Sequence, residues 1–238
     1  MDNILYSIKD SLYNSLIYQD RYKYILEGLK STIIMAFFAT IIGTILGILI
    51  AVVEDNYEKN KKLPILNFLC KTYVSIIRGT PALLQLMIIY YVIFKSVEIN
   101  GILVGIIAFG LNSAAYVSEI IKSGINSIGK GQMEASRSLG FNYSKSMIYV
   151  IMPQAIKNIL PALGNEFITL LKETSVAGYI GIMDLTKASD IIASRTYEYF
   201  VPLIIVAIIY LIMTLGLSKL VKLMERKLWH VIKVRKYK

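Results

Sequence analysis

Asn158, Ala162, Glu166, Thr169 and Glu173 succeed one another at spacings of four, four, three and four within an otherwise apolar stretch. That period sets them on one stripe of a helix. A charged side chain deep in hydrocarbon costs at least roughly 2.5 to 3.5 kcal/mol, so the stripe is expected to face a cavity or a partner helix. Two readings stay open: a structural polar seam in which Glu166 pairs with a fixed cation, and a binding cavity. An ionised Glu166 needs a cation from Arg78, from a group across a dimer, or from a ligand. Asn165 and Thr169 beside it can hydrogen-bond the rest of such a ligand.

A second irregularity is Arg78-Gly79-Thr80-Pro81, inside an apolar run. Proline removes a backbone donor, and such breaks survive in membranes where protein or a watery cavity satisfies the freed carbonyls. Arg78, Thr80 and Gln85 therefore join Asn165, Glu166 and Thr169 as candidates to line a path. Glu119 lies nearer one end of its apolar run, where it can reach water, and a solvated or packing role serves it as well. Catalytic chemistry has little to work with: His230 is the single histidine, Cys70 the single cysteine, and no Cys/His cluster has metal-ligand spacing. No nucleophile, base and orienting group can be assembled, and no GxxxxGK[ST] loop is present to bind ATP.

The elements that must carry these residues are apolar runs, expected to cross a membrane at Leu29–Val53, Ile65–Phe94, Ile102–Ile121, Ile156–Ile182 and Val201–Leu223, since about 20 helical residues span the hydrocarbon core. The 238 residues are 55% hydrophobic and 18% charged, with a mean hydropathy of +0.58, too apolar for an ordinary soluble domain. The net charge of +10 sits at the ends of the apolar runs, which argues for membrane orientation and against nucleic acid. Alternate loops hold fifteen Lys and Arg on one side and seven on the other. The C-terminus and the long loop after the third run are thereby expected in the cytoplasm and the N-terminus outside.

Residues 1–27 start without a basic n-region or a small-residue cleavage site, so no cleavable signal is read there. Ile4 or Leu5, Ile8, Leu12 and Leu16 suggest an amphipathic helix on the membrane surface, against a frayed terminus. Gly43 and Gly47, like Gly101 and Gly105, have the spacing of closely packed helices. Leu185, Ala188, Ile191 and Ile192 suggest a short surface helix over Asp184–Thr196. Residues 224–238 form a basic tail, explained by orientation or by contact with anionic lipid. With no repeat or linker visible, residues 1–238 read as one domain.

The long loop contains a polar insert, residues 129–153, of about two short helices. Leu139-Gly140 is a helix stop, because glycine takes the left-handed conformation without penalty, and Asn142 or Ser144 can cap the next helix. Glu134 and Arg137 share a face; Ala135 and Leu139 form a small apolar stripe. By its residues alone, such an insert reads as a solvated charged loop.

Glu134, Ala135, Gly140 and Pro153 stand at the spacing of the cytoplasmic signature of ABC-importer permease subunits, with Ser136, Val150 and Met152 as mild departures. Arg78-Gly79-Thr80-Pro81, Ala115-Tyr116 with Glu119, Gly131-Gln132, Pro153-Gln154-Ala155, Asn165-Glu166-Phe167 and Lys172-Glu173-Thr174-Ser175 resemble the polar amino-acid branch. The resemblance implies an all-α integral membrane protein with about five transmembrane helices and a cytoplasmic coupling helix. It further implies that Gln132, Glu134, Ala135 and Gly140 dock onto separate ABC ATPase subunits, which would bind ATP and Mg, leaving no cofactor in this chain. An external substrate-binding protein, a second permease subunit and an amino-acid substrate complete the expected partners. A gradient-driven secondary transporter using Glu166 and Glu119 is the alternative; the small chain and the lack of inverted halves argue against it. A non-transporting scaffold leaves the polar stripe unexplained.

Overall fold

A computed structural model describes residues 9–236, with side chains as far as Leu228, so Ile4, Leu5 and Ile8 of the expected surface helix lie outside the described residues. Every regular element among the described residues is helical. Numbered from Tyr22, the α-helices are α1 (Tyr22–Asn60), α2 (Pro64–Arg78), α3 (Ala82–Ile88), α4 (Gly101–Asn126), α5 (Lys130–Ser138), α6 (Tyr143–Ser146), α7 (Met152–Glu173), α8 (Leu185–Thr196) and α9 (Phe200–Lys236). Two π-helical segments, Ile89–Ile93 and Met147–Ile151, extend α3 and lead into α7, and a 3-10 helix covers Thr174–Ile180.

By length and apolarity, α1, α4 and α9 can each cross a membrane, and the bent pair α2 with α3 and its extension makes a fourth candidate. That is fewer than the five runs expected. The shortfall lies in the fourth run: α7 has 22 residues, enough to span, but Lys157, Glu166, Lys172 and Glu173 make it too polar to pass as apolar. The second run is indeed interrupted, ending at Arg78 and resuming at Ala82 with Pro81 extended at φ −64°, ψ 136°. The first run is longer than expected, because α1 carries 39 residues and takes up most of the stretch after Val53 that the sequence suggested was a loop. Leu12 and Leu16 do not continue into α1 as one regular helix: Tyr13–Ile17 is π-helical and Gln19 has φ 54°.

The helices fall into two compact units that share the long elements. The first takes the described residues to Ala39, then Pro81–Phe109 and Thr169–Leu215. In it Gly105 lets α4 approach α1, since a Cβ there would lie 2.8 Å from the Met35 sulfur. The helix over Leu185–Thr196 forms as expected but is no surface element: Leu185, Ala188 and Ile192 are fully buried, and Ile25 and Val206 pack with them. Asp184 caps it, accepting from the N–H groups of Thr186 at 2.9 Å and Lys187 at 3.1 Å.

The second unit takes Thr40–Thr80, Gly110–Ile168 and the chain from Gly216. Its core joins Ala51 of α1, Val117 and Ile121 of α4, and Ala155 and Ile159 of α7. Gly43 and Gly47 bring α1 against α4: an added Cβ would lie 2.7 Å from Ser113 Cβ or 2.6 Å from Val117 Cγ1. The expected stop after α5 is present. Gly140 has φ 87°, its N–H donates to the Arg137 carbonyl at 2.9 Å, and the Phe141 N–H donates to Ser136 at 3.2 Å, the paired bonds of a Schellman turn. Asn142, of the two candidates, caps α6 by accepting from the Lys145 N–H at 2.9 Å.

Candidate functional site

Within the second unit, α2, α4 and α7 wall a cavity of about 540 Å³, within the roughly 300–1,000 Å³ that holds small ligands. Asn158, Ala162 and Glu166 of the α7 stripe line it, as do Arg78 at the end of α2 and Tyr116 and Glu119 of α4. The helical spacing thus delivers three stripe residues to one wall. Asn158 donates to the Ser127 hydroxyl at 2.7 Å, and the buried Ser113 hydroxyl donates to Glu166 Oε1 at 2.9 Å. Gly43 has a part in this placement, because its missing side chain admits Ser113.

Arg78 is paired with Glu119, Nη1 to Oε2 at 3.0 Å, and its guanidinium lies 5.8 Å from the Tyr116 ring centre. Glu119 is also 3.4 Å from Lys122, which donates to Glu54 at 2.5 Å. Four charges of alternating sign therefore run from the cavity wall to the buried Glu54 of α1. The lining residues include one cation, Arg78, and two carboxylates, Glu119 and Glu166. Both members of the Arg78–Glu119 pair remain partly exposed, so a ligand can compete for either.

The other sequence candidates lie apart from this cavity's lining. Thr80 is exposed and its hydroxyl donates to the Ile76 carbonyl at 2.8 Å, closing the last turn of α2. Asn165 is exposed beside Glu166, Thr169 is exposed in the first unit, and Gln85 is buried there. Gln132, Glu134, Ala135 and Gly140 are all exposed on α5 and its turn, with Leu139 80% exposed beside them. Glu119 is the residue that sequence reasoning undervalued. A signal was present: Tyr116, Glu119, Ser123 and Ser127 recur at three, four and four, a second polar stripe facing that of α7.

Apolar helices long enough to cross a membrane, in one chain with a polar cavity that holds an ion pair, are the features of an integral membrane transport protein. The chain matches, over residues 43–230, the family described as binding-protein-dependent transport system inner membrane component, and it belongs to that family. It is therefore a multi-pass membrane permease subunit of an ABC importer and not an enzyme, with ATP hydrolysis on a separate subunit. It is 41% identical over 207 residues to the putative glutamine transport system permease protein GlnP of Rickettsia typhi, covering 86% of this chain and 93% of that one. It is 42% identical to the arginine transport system permease protein ArtQ of Bacillus subtilis, covering 86% and 92%. A solved amino acid ABC transporter crystallised with histidines superposes with a TM-score of 0.81 at 44% identity, over 87% of this chain and 94% of that one. The MetNI methionine ABC transporter, at 19% identity and a TM-score of 0.73, shares the fold over 87% of this chain and 97% of that one.

Proposed function

We propose that this permease forms the translocation path of an ATP-driven amino-acid importer, and that Glu166 binds the cationic part of the substrate. The observation that carries the reading is the α7 stripe on the wall of a 540 Å³ cavity holding one cation and two carboxylates. The names of the relatives, glutamine and arginine systems, support an amino acid. A basic one fits this lining, since two carboxylates on the wall offer a ligand cation an acidic contact.

In this reading the chain dimerises with an identical or related permease and receives substrate from an external binding protein. The exposed surface of Gln132, Glu134, Ala135 and Gly140 docks onto ATPase subunits that carry ATP and Mg. Closure of those ATPases drives alternating access, with this chain's N-terminus outside and its C-terminus cytoplasmic.

The test is Glu166→Gln, nearly isosteric and uncharged, in vesicles with the ATPase and binding protein, comparing arginine and glutamine uptake. Loss of one ionic contact in the cavity is expected to lower arginine uptake by about tenfold or more. Loss of arginine uptake alone assigns Glu166 to the side-chain cation; loss of both points to the α-ammonium or to structure. Undiminished uptake of both removes it from the site.

A further inference from the structure

Tyr143, the first residue of α6, makes a closed set of contacts with the C-terminal part of α1 within the second unit. Its hydroxyl donates to Asp55 Oδ2 at 2.8 Å and accepts from Lys59 Nζ at 2.6 Å, while Lys59 also donates to Asp55 Oδ1 at 2.9 Å. The Lys59 ammonium stands 4.7 Å from the centre of the Tyr143 ring. Asp55 and Lys59 are one helical turn apart, so the tyrosine spans a pair that α1 already presents on one face. One hydroxyl supplies two of the three bonds, and its removal would open the set while leaving the ring in place.

The neighbour of Asp55 gives this contact its reach. Glu54 is 1% exposed and holds Lys122, which is also beside Glu119, the partner of Arg78 on the cavity wall. Two consecutive residues of α1 thus carry opposite ends of one chain of contacts. Asp55 grips the segment after the Gly140 turn, and Glu54 grips the ion pairs that reach the cavity. A helix is stiff along its axis, so a displacement of α6 passed to Asp55 moves Glu54 with it.

The geometry points to Tyr143 as a positioning residue for transport: it transmits movement of the α5–α6 segment through α1 to the Arg78–Glu119 pair. This inference rests on the reading that α5 and its turn dock onto the ATPase, and it adds the link by which that docking reaches the substrate cavity. Tyr143 touches neither partner nor substrate in this role.

The experiment uses the complete complex in vesicles, with transport and ATPase retention measured in the otherwise unaltered chain and Cys70→Ser with Ser123→Cys added only where a cavity position must report access to an aqueous thiol reagent. Three readouts are taken: retention of the ATPase subunits, amino acid carried per ATP hydrolysed, and the change in Cys reactivity on adding a nonhydrolysable ATP analogue. Tyr143→Phe is expected to retain the ATPase, lower the amount carried per ATP by about tenfold, and flatten the nucleotide response, because two hydrogen bonds of the link are lost. Asp55→Leu is expected to match it, and Asp55→Asn, which keeps the acceptor, to recover most of the coupling. An unchanged ratio and response in Tyr143→Phe overturns the proposal. Should that variant fail to assemble, Asp55→Leu decides in its place: an unchanged ratio, or no recovery with Asn, overturns the proposal, and a lowered ratio restored by Asn upholds it. If the complex without any of these substitutions shows no ATP-dependent uptake, the importer reading falls, and this inference with it.

Discussion

Glu54 and Arg78 sit at opposite ends of one string of charges, and their burial makes them behave differently. Glu54 is 1% exposed and Lys122, at 2.5 Å, is its ionic partner. Removing that partner by Lys122→Met leaves a buried carboxylate uncompensated and is expected to cost about 3–5 kcal/mol. The double change Glu54→Leu with Lys122→Met, which removes both charges, is expected to recover most of the loss; thermal unfolding of the detergent-solubilised protein measures each. The Arg78–Glu119 pair is 44% and 37% exposed, so Arg78→Gln is expected to change stability by about 1 kcal/mol or less. Its effect is expected in transport, as a fall in uptake with the unfolding temperature held. A large drop in that temperature would make Arg78 a structural residue. Glu54 itself was not legible as buried: it comes directly after Val53 where the apolar run ends, and its partner Lys122 lies on α4, which only the fold brings there.

The α5–α6 turn and the cap of α8 show how far an element's own sequence can specify it. A Cβ on Gly140 would meet nothing within 4 Å, so the demand for glycine comes from its φ of 87° alone. Gly140→Asn, which tolerates that conformation, is expected to remain functional, whereas Gly140→Val carries about 1–3 kcal/mol of strain at the bend and is expected to insert normally but lose substrate-stimulated ATP hydrolysis. Equal stimulation in the two variants would show that the bend does not couple. At α8, burial pushes the Asp184 carboxyl up, against the N–H groups of Thr186 and Lys187 that lower it. The protonation-linked part of its stability, separate from the cap bonds themselves, is then full below its unfolded pKa, about 3.9, and lost as pH rises through the folded value. Asp184→Asn keeps one of the two acceptor oxygens without the charge and is expected to hold most of the stability at neutral pH; Asp184→Ala is expected to lose about 1 kcal/mol. Unfolding of both at pH 7 checks this. Local signals of this kind, a Leu-Gly stop or an Asx cap, are legible because each acts within a few residues. The union of the α4 and α7 stripes around one cavity depends on packing partners far away in sequence.

At the scale of the molecule, helix class and the outer apolar runs are set by composition, because a chain in lipid must satisfy its backbone within each segment. The number of crossings is not set so directly. Hydropathy scores α7 as too polar, yet Glu166 and Asn158, two of the polar residues that make it so, line a cavity. The pair α2 and α3, broken at Gly79–Pro81, is the other uncertain crossing by length and composition alone. Together these two elements decide where the termini lie. If α1, the α2–α3 pair, α4, α7 and α9 all cross, five passes put the termini on opposite sides; if one of the two ambiguous elements turns back, four passes put them together. The bias of fifteen basic residues against seven favours five, with the side that holds Lys59 and Arg226 in the cytoplasm. A cysteine placed at Lys9 in a Cys70→Ser background is therefore expected to react with an impermeant thiol reagent in intact cells. One placed at Arg226 is expected to react after the membrane is opened. Labelling of both from outside, or of neither, would mean that one of the two polar elements re-enters rather than crosses. A cysteine at Glu98, in the loop between α3 and α4, then identifies it: labelling there that matches the labelling at Lys9 keeps the α2–α3 pair as a crossing and leaves α7 as the element that turns back, and the opposite result assigns the turn to the pair.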